Sequence, residues 1–260
     1  MAKHPRSSSS HASSPVSTAR PTALALTAVQ DFARAGRHEQ AIAAANDALA
    51  APGLPPADRL ALLDARLNSL LALLRLNDAE ADANAMLAIA KSTKSVVDEA
   101  QALACLAHVQ TRQERTDVAL ATAAAAVAAA RRSRRRDLIA LALLRQAAAS
   151  FARKPAEAIA PAEEAARLFA AQGRTALQGQ AVRVLAAARM SLDDAPEHRA
   201  LMQQAIALAR AAGDLGGEGR GLNSLYSSDP DLAQRVRGLH QALRVAQDAG
   251  DLQQQMSALH

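Results

Sequence analysis

Residues 116–136 read TDVALATAAAAVAAARRSRRR, and the spacing of their alanines decides the fold class. Ala119, Ala123 and Ala126 are four and three residues apart, which on an α-helix places them on one face. Small residues with this spacing recur as Ala41, Ala45 and Ala48, as Ala81, Ala85 and Ala88, and as Ala158, Ala162 and Ala165, with a degraded copy at Ala200, Gln204 and Ala207. Successive first members are 40, 38, 39 and 42 residues apart. A fixed period of that size marks a solenoid, in which each helix pair buries its face only against its neighbours. The stretch therefore predicts an all-α superhelix of antiparallel helix pairs with a period of about 40.

Composition agrees. Half of the 260 residues are apolar and only 2% are aromatic, namely Phe32, Phe151, Phe169 and Tyr226, so the apolar content is mostly alanine and leucine, which favour helix. No segment alternates Val, Ile and Thr as a strand would. The net charge of +5 is unevenly distributed. Residues 1–20 carry +3, the cluster Arg131, Arg132, Arg134, Arg135 and Arg136 carries +5, and the remainder is −3. The body is thus not a basic surface. A single cysteine, Cys105, excludes an intramolecular disulfide framework and points to a reducing compartment. With no long uncharged apolar run and no apolar core of a secretory signal, the expectation is a soluble, cytoplasmic protein with no membrane partner.

Taken in order, residues 1–21 form a Ser-rich basic segment expected to be disordered, and residues 22–260 a helical repeat domain of six pairs and an incomplete seventh. Gly36 breaks the first pair, Asn77 is expected at the turn of the second, and Pro155 begins a helix of the fourth. Caps with prolines are expected at Asp193 or Asp194 with Pro196, and at Ser228, Asp229 and Pro230. The glycines between 213 and 221 predict a loose helix start. AGDLGGEGRGLN at 212–223 aligns without a gap on AGDLQQQMSALH at 249–260, a period of 37. The seventh repeat is then only begun: either the chain is the N-terminal regulatory part of a longer protein with an output domain after it, or the lone helix docks on something else. Alanine buries little area, so modest stability with fraying at the C-terminal end is expected.

Residues 35–42, AGRHEQAI, followed by Ala45, Ala48, Leu49 and Pro52, resemble the second half of the tetratricopeptide repeat motif, and Leu103, Leu106 and Ala107 match its first helix. The resemblance covers about residues 22–260. Most aromatic positions of that family hold Ala or Leu here, and the period is longer. The long period and the recurring AGD turn look like repeat arrays of bacterial signalling proteins. What the resemblance implies is a right-handed superhelix whose first helices line a concave groove that binds a peptide or protein domain, without catalysis. By helical phase, the groove candidates are Gln30, Arg34, Arg66, His108, Arg112, Arg145, Arg183 and Arg189. The arginines among them favour an acidic partner.

Other motifs carry less. Cys105 and His108 share a helix face, but no oxyanion device accompanies them, and a buried cysteine beside a groove histidine explains them without chemistry. The glycines at 213–221 follow a helix and lack the Lys-Ser or Lys-Thr end of a phosphate loop. The arginine cluster at 131–136 offers an alternative function, contact with nucleic acid or an anionic surface; the absence of interleaved aromatics makes it the weaker reading. His4, His11, His38, His198, His240 and His260 have no metal-ligand spacing, so neither metal nor cofactor is expected.

Overall fold

The computed structural model describes residues 19–192, 195–227 and 229–259, and among them there are thirteen α-helices and no strand. The expected disordered segment lies largely outside the described residues. The pairs are α1 (Ala19–Arg34) with α2 (His38–Leu49), α3 (Pro56–Ala72) with α4 (Leu76–Thr93), α5 (Val96–Arg112) with α6 (Thr116–Ser133), and α7 (Arg136–Phe151) with α8 (Pro155–Ala171). They continue with α9 (Thr175–Met190) and α10 (Ala195–Ala211), then α11 (Leu215–Tyr226) and α12 (Leu232–Asp248); α13 (Leu252–Leu259) follows alone. Each helix packs chiefly on its sequence neighbours, and odd helices also touch the next odd helix, as in α5 with α7 and α7 with α9. The chain is an all-α solenoid.

The even helices bury a small-residue stripe against the odd ones, as the alanine spacing predicts. Its register, however, differs from the expected one in two repeats. Ala81, Ala85, Ala88, Ala200, Gln204 and Ala207 are exposed. The buried positions are Ala79, Ala83 and Met86 in α4, and His198, Met202 and Ala205 in α10. The first members of the true stripe are Ala41, Ala79, Ala119, Ala158, His198 and Gly238, at intervals of 38, 40, 39, 40 and 40. Gly238 joins the series because the Tyr226 ring lies where a Cβ would stand.

Three turn expectations are corrected. Asn77 is inside α4, and Leu74 takes the left-handed conformation instead, with φ 58°. The cap of α12 is Asp231, which accepts from the N–H groups of Ala233 and Gln234, while buried Asp229 pairs with Arg199. The glycine-rich segment forms α11 from Leu215, its start held by Asp214, whose carboxylate accepts from Gly217 N–H at 2.8 Å. A Cβ on Gly221 would stand 2.6 Å from Ile206 Cγ1, so that glycine serves close helix packing. The cap expected at Asp193 or Asp194 lies outside the described residues.

The array turns far enough to meet itself. The α1–α2 turn touches the α12–α13 turn: His38 Nε2–H donates to the Ala249 carbonyl at 2.9 Å, across 211 residues of chain. Gly36 (φ 70°) and Gly250 (φ 62°) face each other there. A Cβ on Gly36 would fall 2.5 Å from Asp248 O, so only glycine permits this approach. The α1–α2 turn thus meets the α12–α13 turn, and the odd helices surround a central space.

An arginine-lined chamber as candidate functional site

The enclosed space has a volume of about 770 Å³ and is walled by α1, α3, α5, α7, α9, α11, α13 and His38 at the start of α2. Its lining has a register of its own. Arg34, Leu71, His108, Arg145, Arg183 and Arg220 all face it, and they are 37, 37, 37, 38 and 37 residues apart. The helices α3, α5, α7, α9 and α11 begin 40, 40, 39 and 40 residues apart, so the lining position slips toward the helix start with each repeat. It is the sixteenth residue of α3, the thirteenth of α5, the tenth of α7, the ninth of α9 and the sixth of α11. At 1.5 Å per residue this slip is about 4 Å per repeat, and six repeats give roughly the length of one 17-residue helix. The six residues therefore form a level ring while the chain climbs around it.

Charge within this ring is unbalanced. Arg34, Arg112, Arg145, Arg183 and Arg220 line the chamber with only Asp214 and Asp251 as carboxylates. Asp251 accepts from Arg220 at 3.1 Å and also from the N–H of Gln254, and Asp214 is engaged in capping α11. Arg112 donates to the Leu71 carbonyl at 3.1 Å, and Arg34 pairs with Asp31 on its own helix. Arg145 and Arg183 make no hydrogen bond or ion pair among the described residues, and the Nε of each is buried without a partner.

These surroundings perturb four groups of the lining. Burial, reinforced by Arg220 and Arg112, pulls the Arg183 guanidinium down to about 10, with Asp214 opposing. Arg145 is lowered by burial, offset in part by Cys105 and Asp64. Burial likewise lowers Arg112, and Asp251 opposes. His108 is held well below its ordinary value by burial and by Arg145, Arg112, Arg220 and Arg183, so its imidazole is neutral at pH 7. Guanidinium does not give up its proton in a protein, so these shifts express uncompensated positive charge.

Of the eight sequence-derived groove candidates, the structure brings five into the chamber: Arg34, His108, Arg112, Arg145 and Arg183. Gln30 is exposed on α1 and does not line it. Arg66 is a strut, its Nε donating to buried Asp82 at 2.9 Å and its Nη1 to Asn46. Arg189 bridges Glu163 of α8 and Glu197 of α10 at 3.2 and 3.0 Å. The sequence reading missed Arg220, whose helix was expected to start loosely; the 37-residue alignment ending in AGDLQQQMSALH carried the signal for it.

The remaining motifs fall elsewhere. Cys105 donates its thiol proton to Asp64 at 3.2 Å, and burial with that carboxylate raises the thiol well above its ordinary value, a setting unsuited to a nucleophile. In the arginine cluster, Arg132 pairs with Glu99 at 3.0 Å and Arg135 with Asp137 at 2.8 Å. Among the described residues, no cluster of His, Cys, Asp or Glu could hold a metal ion, and no helix is long and apolar enough to cross a membrane.

No family model and no curated protein matches the chain. Solved structures do. A signal transduction ATPase with numerous domains (STAND) protein with a tetratricopeptide repeat sensor, from Pyrococcus horikoshii, aligns with a TM-score of 0.57 at 16% identity, over 88% of this chain and 36% of that one. BtubC (BKLC) from P. vanneervenii aligns with a TM-score of 0.50 at 17% identity, over 94% of this chain and 89% of that one. The chain thus spans about a third of the length of the STAND protein, and at these identities the likeness is one of fold: a helical-repeat array of the kind that forms a tetratricopeptide sensor.

Proposed function

We propose that this solenoid is a non-enzymatic binding module that takes an acidic peptide or protein segment on its inner face, as the regulatory part of a larger cytoplasmic signalling protein. The observation that carries the reading is the set of five arginines that α1, α5, α7, α9 and α11 turn onto one inner face, with Arg145 and Arg183 unpartnered. Binding here is charge and shape complementarity on a preformed surface, so a partner gains by supplying carboxylates to guanidinium groups already desolvated by the fold. The likeness to a protein whose tetratricopeptide repeats act as a sensor supports the regulatory role. Contact with nucleic acid through the 131–136 cluster is the weaker reading, since the Arg132 and Arg135 ion pairs reduce the charge that cluster offers.

The test is fluorescence polarisation of a labelled Glu-rich peptide. Saturable binding that weakens in Arg145→Gln and Arg183→Gln, but not in Arg131→Gln, is the expected result. Equal binding by all the variants would remove the inner face from the account.

A further inference from the structure

The ring also indicates what chemical group it accepts. Arg145 and Arg183 occupy equivalent places on adjacent odd helices, α7 and α9, and both line the chamber. Each has its Nε buried and unpartnered, so the charge of each must be met through the guanidinium ends. Asp64 offsets the burial of Arg145 only in part, and the carboxylates of the lining are engaged, Asp251 with Arg220 and Asp214 at the start of α11. Counting His108 as neutral, the lining holds five arginines against two carboxylates, a surplus of three positive charges. A single carboxylate balances one of these, whereas a phosphate monoester brings a charge of about −1.5 to −2 and three oxygens suited to guanidinium forks.

Size restricts the ligand further. The Gly36–Gly250 contact and the His38 bond to Ala249 join the two ends of the array and add His38 and Ala249 to the chamber wall. A volume of about 770 Å³ is that of a small-molecule site.

We propose that the chamber is a receptor site for a compact phosphate monoester, its phosphoryl oxygens met by the positive wall of Arg112, Arg145, Arg183 and Arg220. This deepens the inner-face reading and rests on it for the choice of face. The ester is either a free small molecule or a phosphorylated side chain, and the two are separated by experiment.

Isothermal titration of the full chain with inorganic phosphate, phenyl phosphate, a phosphoserine peptide and the Glu-rich peptide tests the proposal. Phenyl phosphate is expected to bind saturably at one site, at least about tenfold more weakly in Arg145→Gln and in Arg183→Gln, the loss of one charge-assisted hydrogen bond. Arg183→Lys should fall between, and Arg132→Gln should match the parent. Circular dichroism confirms that the variants fold; should a variant unfold, a phosphate-dependent shift of the Arg145 and Arg183 side-chain NMR signals in the parent protein replaces it. If phenyl phosphate binds and the phosphopeptide does not, the ligand is a free ester; the reverse result assigns a phosphorylated partner. If only the Glu-rich peptide binds, in an Arg183-dependent way, the phosphate proposal is overturned and the inner-face reading stands. No binding by any of the four overturns both, whereas phosphate binding equally strong in both Gln variants overturns the phosphate proposal alone.

Discussion

Arginine appears on both sides of this wall, and its environment differs completely between them. On the outside, Arg132 and Arg135 reach across short distances to Glu99 and Asp137, with their side chains more than half exposed. Arg66, between helices, is committed to Asp82, a carboxylate buried to 5% exposure. Inside, Arg145 and Arg183 are desolvated and make no ion pair, with Asp64 and Asp214 offsetting the cost of burial only in part. A concentration of arginines along the sequence marked the outer cluster, whereas the inner ones are spread one per repeat. A surface cluster near its carboxylates adds little energy. A dispersed set gathered by superhelical geometry, and left unpaired, stores an unmet electrostatic demand, and this is what a binding site requires.

That contrast can be broken or sharpened by measurement. The largest effect is expected for Arg66→Ala, which strands Asp82 in the interior and should cost about 3 kcal/mol in urea denaturation. A loss below about 1 kcal/mol would mean that water reaches Asp82. Next is pH. Unfolded His108 takes up a proton below about pH 6.5, whereas folded His108 resists it, so the unfolded state binds more protons and stability must fall as the pH drops through that window. The slope from this group approaches 1.4 kcal/mol per pH unit, and His108→Leu should remove it while leaving any loss from carboxylates at lower pH. Arg183→Met is expected to act in the opposite direction to Arg66→Ala, raising the stability of the unliganded protein by about 1 kcal/mol, because a cation without a partner is replaced by an apolar side chain. Arg132→Gln comes last, with no measurable change in the denaturation midpoint; a shift rivalling that of Arg66→Ala would erase the difference between the regions.

The architecture was legible because helix pairs repeat at a near-constant interval, and alanine, the best helix former, fills them. The phase of two repeats was not. Helix α4 has alanines at 79, 81, 83, 85, 88 and 90, so several faces satisfy the same spacing. Met86 and the Asp82 held by Arg66 decide which one turns inward, and neither looks like part of a small-residue stripe. The same limit applies to the chamber. Helical phase puts Arg145 and Arg183 on the inner face, where the structure also has them, but Arg66 and Arg189 have carboxylates within reach on neighbouring helices, and which residue meets which partner across a helix pair depends on crossing geometry rather than on spacing. The 37-residue register was in plain view at the C-terminal end, yet its meaning required the pitch of the superhelix.

The meeting of Gly36 with Gly250 has a thermodynamic consequence as well as a geometric one. A repeat array behaves as a one-dimensional lattice of coupled units, and in an open lattice each terminal unit has a single neighbour and melts first. Here the turn after α1 and the turn before α13 touch, giving each end a second neighbour one superhelical turn away. The lattice then approaches a periodic boundary, in which opening of α2 or α12 must first break a contact spanning 211 residues of chain.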